Sequence, residues 1–247
     1  MPNRSVDINC DVGEGLNHEA QLFPFISSCS IACGGHAGDI ETMRETAVLA
    51  KKYNLKVGAH PSYPDRKNFG RVSMELSEGG LRTTIIEQID LLAAILKEQK
   101  IPLHHIKPHG ALYNDVAQDA HLAKIMLKAL AKYKDTISLY VPYASKVADQ
   151  AKANGYKILY EAFGDRKYHG NLKLVSRKIK DAVIQDPKQV LNQIINIINR
   201  GKVATWDGGE AKILADTLCI HGDTPSALQI VSYLHEELPR YRIFIQK

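Results

Sequence analysis

The sequence predicts an α/β fold in which helices cover a parallel sheet. Short apolar segments alternate with amphipathic segments of helical periodicity along nearly the whole chain, and this alternation is typical of parallel sheets. About seven strands are expected, which suits either a closed barrel or an open doubly wound sheet. No Gly-x-Gly-x-x-Gly motif follows the first predicted strand, which disfavours a dinucleotide-binding fold.

Each element is predicted from its own periodicity. The strands are expected at Val6–Asn9, Ser30–Ala32, Lys56–Ala59, His104–Lys107, Ser138–Val141, Ile158–Ala162 and Leu218–Ile220. The helices are expected at Glu41–Tyr53, Leu81–Gln99, Ala120–Tyr133, Ala144–Asn154, Pro187–Arg200 and Pro225–Leu238. The last helix has a start signal, with Thr224 as N-cap and Pro225 as its first residue. Barrels of this length often form one domain, so we expect a single domain over residues 1–247.

Composition narrows the classes of function. The chain has 247 residues, is 45% hydrophobic and carries a net charge of +5, an ordinary globular balance. Its basic residues are scattered and form no cluster that interleaves with aromatic residues, so nucleic acid binding is disfavoured. No segment approaches the ~18 apolar residues of a membrane span, and no apolar signal region opens the chain, so we expect a cytoplasmic protein without a membrane partner. The four cysteines lack metal-finger spacing and are expected to be reduced, packed thiols.

The first predicted strand has an unusual polar face. In "VDINCDVGEG", Val6, Ile8, Cys10 and Val12 alternate with polar residues, which are Asp7, Asn9 and Asp11. Such alternation gives a strand one apolar and one polar face. In a barrel the apolar face would pack on helices and the polar face would point into the lumen. The third and fourth strands agree in phase, with Gly58, His60, His105 and Lys107 pointing inward.

A polar, mostly glycine-containing motif follows nearly every predicted strand. These motifs are "DVGEG", "CGGHAGD", "HPSYPDRKNFGR", "KPHGALYND", "EAFGDRKY" and "HGDTP". The carboxyl ends of parallel strands meet at one edge, where the active sites of such folds are assembled. The irregular stretch "GDRKYHGNLKLVSRKIKDAVIQD" is expected to be a functional loop or excursion.

Several of these residues also have simple structural explanations. Asp39 is as well explained by helix capping as by function, Asp115 by a turn or cap, and Asp65 with Arg71 by a surface pair. Ordinary hydrogen bonding explains His104, His105 and His169. Function is favoured for the four residues that share the predicted rim: Asp11, His60, Lys107 and His109.

Taken together, the motifs are specific. "DINCDVGEG", "IACGGHAGD", "VGAHPSYPDRKNFGR", "HIKPHGALYND", "EAFGDRKY" and "CIHGDTPSA", in this order, resemble the LamB/YcsF family, which corresponds to the A subunit of the prokaryotic ATP-dependent 5-oxoprolinase. The resemblance extends from about Val6 to about Leu238. It implies a seven-stranded (β/α) barrel similar to the glycoside hydrolase/deacetylase barrels. It also implies ATP-driven hydrolysis of the lactam of 5-oxo-L-proline to L-glutamate, together with subunits B and C.

The resemblance also implies a set of site residues. We predict four catalytic residues: Asp11, His60, Lys107 and His109. We predict seven substrate-binding residues: Asn9, Glu14, His36, Asp165, Arg166, His221 and Asp223. The resemblance does not fix their roles. From the chemistry of the side chains we predict that Asp11 or His60 is the general base for water, that His109 or His221 protonates the leaving amine, and that Lys107 holds developing negative charge. Asp11 is expected to be needed for turnover and not for folding.

The chain departs from the family pattern at a few positions. Ser30 stands where the family has Asn, Gly35 where it has Phe, Ile40 where it has Pro, and Gly164 where it has Ala. Loss of the aromatic side chain at Gly35 is expected to enlarge or loosen the pocket.

ATP binding is expected mainly on other chains. An unstrained lactam needs activation, which ATP can supply by phosphorylating the carbonyl oxygen. The sequence has no Gly-x-x-x-x-Gly-Lys-Ser/Thr loop, and "GGEAKI" is not one. We therefore expect ATP and Mg²⁺ to be bound mainly by the partner subunits B and C, with this chain receiving the activated lactam.

Two other functions remain open. The first is a metal-dependent amidase or carbohydrate deacetylase, in which Asp11, His60 and His109 would hold a divalent metal ion. The second is a non-catalytic lactam-binding regulatory protein. The many titratable groups at the predicted rim disfavour the second, because a simple binding site needs fewer.

Overall fold

The fold is a closed barrel of seven parallel strands. The computed structural model describes residues 3–16 and 18–247. Its strands are β1 (Arg4–Val12), β2 (Ser28–Ala32), β3 (Lys56–His60), β4 (Leu103–Ile106), β5 (Ser138–Pro142), β6 (Lys157–Phe163), β7 (Lys202–Ala204), β8 (Glu210–Lys212), β9 (Thr217–Cys219) and β10 (Ile243–Ile245). The barrel runs β1, β2, β3, β4, β5, β6 and β9, and β9 pairs with β1 to close it. The predicted seven-stranded (β/α) barrel is confirmed.

Helices surround the barrel. They are α1 (Glu19–Leu22), α2 (Ile40–Lys52), α3 (Glu78–Glu98), α4 (Gly110–Gln118), α5 (Ala120–Ala129), α6 (Lys146–Ala153), α7 (Pro187–Arg200) and α8 (Ala227–Glu237), with short 3₁₀ turns at Phe23–Phe25, Ala131–Tyr133 and Leu238–Tyr241. Side-chain caps explain several starts. Asp39 accepts a 2.8 Å bond from the Thr42 amide, so Asp39 is a helix cap. None of the helices within the described residues has the length and hydropathy of a membrane span.

Four features are not expected from the sequence. α1 and α4 are helices, β7 and β8 form an antiparallel hairpin, and β10 pairs in parallel with the start of β1. The predicted cap of the last helix is wrong. Ser226 occupies that position, and Thr224 instead donates its hydroxyl proton to Asp165 at 2.8 Å.

The barrel lumen is filled by polar side chains in layers. At the bottom, Asp7 accepts 2.7 Å hydrogen bonds from the hydroxyls of Ser28 and Thr217. One layer up, the fully buried His105 stacks on Tyr140 with ring centroids 3.9 Å apart. Layers of inward side chains are typical of such barrels. Because these residues point inward, the apolar residues between them pack on the helices, which confirms the predicted phase of β1.

The glycine in β3 is required by this packing. A Cβ atom on Gly58 would lie 2.2 Å from Nε2 of His105, closer than any real contact. The absence of a side chain at Gly58 thus makes room for the His105 ring. Above this layer, the next inward side chains belong to Asp11, His60 and Lys107, and they form the floor of the site.

Candidate functional site

A cavity of about 740 Å³ opens at the carboxyl ends of the strands. Its floor includes Asp11, Lys107 and Glu161. One wall is the irregular excursion after β6, which contributes residues 171–178. The expectation that this excursion serves the site is consistent with its position. The cavity is large enough for a small metabolite.

Lys107 ties the floor together. Its ammonium lies 2.7 Å from Oδ1 of Asp11, 2.9 Å from Oε1 of Glu161 and 2.9 Å from Oδ1 of Asn9. Burial opposes the charge of Lys107, but Asp11, Cys219 and Glu161 outweigh it and raise its pKa well above the usual value. An ammonium has three protons, and hydrogen bonds to Asn9, Glu161 and the sulfur of Cys219 use all of them. The arrangement therefore does not support the predicted role of Lys107 in holding charge on the substrate; it positions Asp11 and Glu161.

Asp11 is held ionised. Its Oδ2 lies 3.3 Å from Nε2 of His60, and its Oδ1 contacts Lys107. Burial would raise the pKa of Asp11, but the charges of His60 and Lys107 outweigh it and hold the pKa well below its ordinary value. A carboxylate of such low pKa is a weak base. Asp11 is better suited to orienting a water molecule or a neighbouring group than to taking a proton.

Three imidazoles and one carboxyl group form a second cluster beside the floor. Nε2 of His60 lies 2.9 Å from Nδ1 of His109, and the His109 ring stacks on His36 with centroids 3.6 Å apart. Oε1 of Glu14 lies 3.0 Å from Nε2 of His36 and 3.4 Å from Nδ1 of His109. Burial, reinforced by the charge of Asp11, raises the pKa of Glu14 to about 7.

His221 and Asp165 form a dyad at the rim. Asp165 accepts bonds from the backbone amide of His221 at 3.0 Å, from its Nδ1 at 2.9 Å and from the Thr224 hydroxyl at 2.8 Å. Burial opposes ionisation of Asp165, but these donors lower its pKa. The His221 ring borders the cavity and stacks on Phe163 with centroids 5.1 Å apart. With Nδ1 bound to Asp165, Nε2 is the nitrogen available for proton transfer.

Arginines surround Asp223 at the mouth. Arg71 pairs with Asp223, and Nη1 of Arg177 lies 3.1 Å from its Oδ2. Arg166 is buried and donates from Nη2 to the Val175 carbonyl at 2.6 Å. Burial, with a contribution from Arg177, lowers the pKa of Arg166 to about 10. The mouth thus carries more positive than negative charge, which suits an anionic ligand.

The surface pair predicted between Asp65 and Arg71 is wrong. Asp65 accepts instead from the side chain of Asn68 at 3.0 Å, and Arg71 reaches across the mouth to Asp223. The explanation of Asp115 as a local turn or cap is also incomplete, because its carboxylate accepts from the hydroxyls of Tyr63 and Ser73 at 3.0 Å. Both contacts cross between segments, and no local pattern predicts them.

The structure brings the predicted site residues to one end of the barrel. The imidazole cluster and the floor share His60, the dyad adds His221, and the arginine group adds Asp223. Sequence reasoning missed three contributors, namely Glu161, Arg71 and Arg177. Glu161 lies inside a quoted motif and has the inward phase of β6, which was a usable signal. Arg177 lies in the irregular excursion, where no periodicity places it.

The expected enlargement of the pocket at Gly35 is contradicted. A Cβ atom on Gly35 would lie 2.4 Å from both Oε1 of Gln88 and Oγ of Ser62. Gln88 fills this space and bonds the backbone of Ser62 at 3.0 Å and 2.8 Å. The space next to Gly35 is therefore occupied by other side chains and is not part of the cavity.

The other departures have local explanations. The hydroxyl of Ser30 lies 3.2 Å from Nε2 of His105 inside the barrel. Ile40 is the first residue of α2 and is 52% exposed. A Cβ on Gly164 would lie 2.8 Å from Cδ1 of Ile220, so Ile220 fills the position that a methyl group would take.

Two groups of side chains have the spacing of metal ligands. Within the described part of the chain, the ligand atoms of Glu14, His36, His60 and His109 lie within 4.8 Å of one another, as do those of Asp11, Cys219 and His221. The predicted ligand set of Asp11, His60 and His109 does not appear as one group: Asp11 lies 3.3 Å from Nε2 of His60, but its group is the one with Cys219 and His221. All four cysteines are free and buried, as expected for packed thiols.

The chain is similar to known proteins over its whole length. It is 38% identical over 247 residues to the A subunit of 5-oxoprolinase from Staphylococcus carnosus (strain TM300), with 98% of each chain covered. The crystal structure of the lactam utilization protein from Thermus thermophilus superposes with a TM-score of 0.91 at 34% identity, covering 98% of this chain and 99% of that one.

A more distant likeness concerns the fold alone. The family 4 carbohydrate esterase from Streptomyces lividans superposes with a TM-score of 0.55 at 9% identity, covering 99% of this chain and 93% of that one. This esterase is not a guide to the family of the chain. The sequence matches the model of the LamB/YcsF family over residues 6–247. That match shows, in agreement with the motifs and with the full-length relatives, that the chain belongs to the LamB/YcsF family.

Proposed function

We propose that this chain is the A subunit of an ATP-dependent 5-oxoprolinase and hydrolyses the activated lactam of 5-oxo-L-proline to L-glutamate. The full-length similarity to a protein named as that component of 5-oxoprolinase supports this proposal. The observation that carries the chemistry is the rim dyad, in which Asp165 orients His221 beside a cavity of about 740 Å³. A cytoplasmic location fits the four free thiols.

His221 is the best-placed proton carrier. Nε2 of His109, the other predicted acid, lies 3.0 Å from the Phe69 carbonyl, and its Nδ1 lies 2.9 Å from His60. Both nitrogens of His109 are therefore engaged, whereas within the described residues the His221 ring hydrogen-bonds only through Nδ1, to Asp165. An imidazole whose second nitrogen is fixed by a carboxylate is typical of a general base that later acts as an acid.

The reaction requires two steps at this site. The lactam reaches the cavity with its carbonyl oxygen phosphorylated by ATP. A water molecule adds to the ring carbon and gives its proton to Nε2 of His221, which passes the proton to the ring nitrogen as the carbon–nitrogen bond breaks. The product is an acyl phosphate with a free amino group. A second water molecule releases phosphate and leaves glutamate, so one ATP and two waters are consumed.

The floor and the mouth divide the remaining tasks. Asp11, ionised and fixed by Lys107, orients the attacking water from below. Arg71 and Arg177 stand at the mouth beside Asp223 and attract the anionic substrate. Burial of the site keeps bulk water from the reactive phosphate.

ATP and Mg²⁺ are assigned to the partner subunits B and C. The chain lacks a phosphate-binding loop of the Gly-x-x-x-x-Gly-Lys type, and Gly208 and Gly209 of the "GGEAKI" segment lie at the turn of the β7–β8 hairpin. We infer that the partners form the activated lactam and transfer it to the cavity mouth, which then faces them. Direct transfer protects the intermediate from hydrolysis in water.

A reconstitution experiment tests the proposal. The purified chain is mixed with ATP, Mg²⁺ and 5-oxo-L-proline, with and without subunits B and C, and glutamate is measured. Glutamate is expected only in the full mixture. ATP-dependent glutamate formation by this chain alone would contradict the division of labour. A full mixture that forms no glutamate, with all three subunits folded, would contradict the function itself.

One observation favours a second function. The cluster of Glu14, His36, His60 and His109 could support a metal-dependent amidase, the alternative predicted from the sequence. In that case simple amides or N-acetyl sugars would be cleaved by this chain without ATP. The same reconstitution distinguishes the two functions, because omission of ATP stops the first and leaves the second unchanged. The non-catalytic alternative predicts binding of the lactam and no turnover in any mixture.

A further inference from the structure

We propose that Glu14, His36, His60 and His109 together bind one zinc ion beside the floor of the cavity. The proposal concerns the site of the proposed function but does not depend on a lactam being the substrate. The zinc ion would add to ATP-dependent chemistry at this site and would not replace it.

The argument starts from the protons on His60 and His109. Nδ1 of His60 lies 2.7 Å from the Lys107 carbonyl, and Nε2 of His109 lies 3.0 Å from the Phe69 carbonyl. A carbonyl oxygen only accepts hydrogen bonds, so each of these nitrogens carries a proton. A neutral imidazole has one such proton. When both rings are neutral, Nε2 of His60 and Nδ1 of His109 therefore both present lone pairs.

These two lone pairs face each other. The two nitrogens lie 2.9 Å apart, a distance at which one of them would normally donate a proton. Oε1 of Glu14 lies 3.4 Å from the same nitrogen of His109 and 3.0 Å from Nε2 of His36. Together with Nε2 of His60, these ligand atoms lie within 4.8 Å of one another around one buried point. Such an arrangement is costly unless a positive charge lies among them.

Within the described residues, no lysine or arginine forms an ion pair with this cluster. Among residues 3–16 and 18–247, the ion pairs of Glu14 are with His36 and His109 and not with a lysine or arginine. The other group with the spacing of metal ligands, Asp11, Cys219 and His221, already has a cation beside it. There Lys107 lies 2.7 Å from Asp11 and 3.3 Å from Sγ of Cys219, so an ammonium already provides the positive charge. This contrast selects the Glu14 group as the metal site.

The surroundings of the cluster also fit a metal. Histidine ligands usually donate their other ring proton to a carbonyl or a carboxylate, which fixes the ring. His60 and His109 both do so. Nδ1 of His36 is buried and has no hydrogen-bond partner within the described residues, and Nε2 is the ring nitrogen directed at Glu14. His60 and His109 border the cavity, which gives an ion a route of entry.

The donor set and the spacing indicate which metal. Three imidazole nitrogens and one carboxylate oxygen suit zinc and disfavour magnesium and calcium, which prefer oxygen ligands. Tetrahedral zinc with bonds of about 2.0–2.1 Å has ligand atoms about 3.3 Å apart. The separations of 2.9, 3.0 and 3.4 Å along the cluster are close to this spacing. Bound zinc would polarise a water molecule or a carbonyl oxygen at the cavity floor.

Metal binding is tested on the intact chain alone, without ATP or partners. The protein is stripped with a chelator, dialysed against ZnCl₂ and analysed for metal content, and CoCl₂ is added separately to record the visible absorption of bound cobalt. One zinc ion per chain and a tetrahedral cobalt spectrum are expected. Glu14→Gln, His36→Asn and His109→Asn should each weaken zinc binding by at least about 10-fold.

Two control variants locate the site. His121→Asn removes an exposed histidine of α5, and Cys219→Ser alters the other group; both should keep full zinc content. Circular dichroism shows whether each variant is folded, and the wild-type stoichiometry does not depend on any variant. Absence of zinc binding by the wild-type chain would overturn the proposal and leave a shared proton between His60 and His109. Loss of zinc in Cys219→Ser, with zinc retained in the Glu14, His36 and His109 variants, would also overturn the proposal. Neither result bears on glutamate formation by the full mixture.

Discussion

Asp165 binds Nδ1 of His221 at 2.9 Å and thereby fixes which nitrogen of the ring is available at the cavity. The carboxylate accepts two further bonds, from the His221 amide and from the Thr224 hydroxyl. Its orientation is therefore set by three donors, and the His221 ring is held on both sides by Asp165 and the Phe163 ring. This relationship makes the proton-transfer role of His221 testable.

Asp165→Asn should reduce turnover of the assembled enzyme by about 100- to 10,000-fold, the range for loss of a general acid–base group. The amide group of Asn would offer a donor where Asp165 accepts, and His221 would lose its fixed tautomer. The fall should appear in kcat with little change in KM, measured as glutamate formation. Asp207→Asn, at an exposed aspartate, is the control and should leave both constants unchanged. Near-normal kcat in folded Asp165→Asn would remove the dyad from the mechanism.

Asp11→Asn should reduce turnover by at least about 100-fold, and it should also lower the melting temperature. The sequence alone predicts that Asp11 is needed for activity only. The structure corrects this expectation, because Oδ1 of Asp11 lies 2.7 Å from the buried Lys107 ammonium. In this variant the Lys107 ammonium still pairs with Glu161, so only part of its electrostatic stabilisation is lost. The melting temperature is therefore expected to fall by roughly 5 °C. Calorimetry and the glutamate assay measure the two effects. Asp115→Asn, which alters a carboxylate outside the floor, should keep normal turnover.

Lys107→Met should destabilise the protein by about 3–5 kcal/mol, because it leaves Asp11 and Glu161 buried without a counter-charge. Urea denaturation measures the change. Lys128→Met is the matched control. Its ammonium lies 2.9 Å from Glu78, the same distance as between Lys107 and Glu161, but that pair is exposed and its loss should have no measurable effect. Equal unfolding midpoints for the two variants would show that the buried network contributes nothing.

Acid should destabilise the protein through Asp165 and Asp223. Burial opposes their ionisation, but His221 lowers the pKa of Asp165 and the arginines Arg177 and Arg71 lower that of Asp223. A depressed folded-state pKa gives stability that is present above the unfolded pKa, about 3.9 for Asp, and is lost as pH falls through the folded value. Urea midpoints should therefore fall from about pH 5 downward. In Asp165→Asn the same fall should be smaller, and an identical pH profile would contradict the assignment.

Periodicity could predict the barrel and much of its lining. The period-two pattern of β1 correctly places Asp7, Asn9 and Asp11 in the lumen, because one face of each strand must meet the helices. The same reasoning places His60 and Lys107 on the floor. Strand order and closure followed from the resemblance to a family and not from local pattern, since seven strands fit an open sheet equally well.

Contacts between loops could not be predicted. Asp223 and Arg71 are 152 positions apart in the chain, and their pairing depends on how two excursions fold over the mouth. From the sequence, Glu14 and His36 are predicted to bind substrate. Asp11, His60 and His109 are the residues predicted to hold a metal ion if one is present. Lys107 competes with His60 for Asp11, which lies 2.7 Å from the ammonium and 3.3 Å from Nε2 of His60, whereas Glu14 contacts the imidazoles of His36 and His109. No spacing in the sequence reveals that competition.

The departure at Gly35 gives the last prediction. Gly35→Ala should destabilise the protein by about 1–3 kcal/mol, because the new Cβ displaces a packed side chain. That Cβ would lie 2.4 Å from Oε1 of Gln88, and moving Gln88 breaks its two bonds to the Ser62 backbone. The cost therefore arises from Gln88 and from the Ser62 hydroxyl, which lies at the same 2.4 Å, and not from backbone strain.

A double-mutant cycle separates these causes. Gln88→Ala alone should destabilise, since it removes both bonds to Ser62. In the Gln88→Ala background, Gly35→Ala should cost markedly less than in the wild type, because the conflicting amide is gone. Urea denaturation of the four proteins gives the coupling energy. Purely additive effects would show that Gln88 does not fill the space beside Gly35. A favourable coupling would explain how this chain accommodates glycine where the family has an aromatic residue.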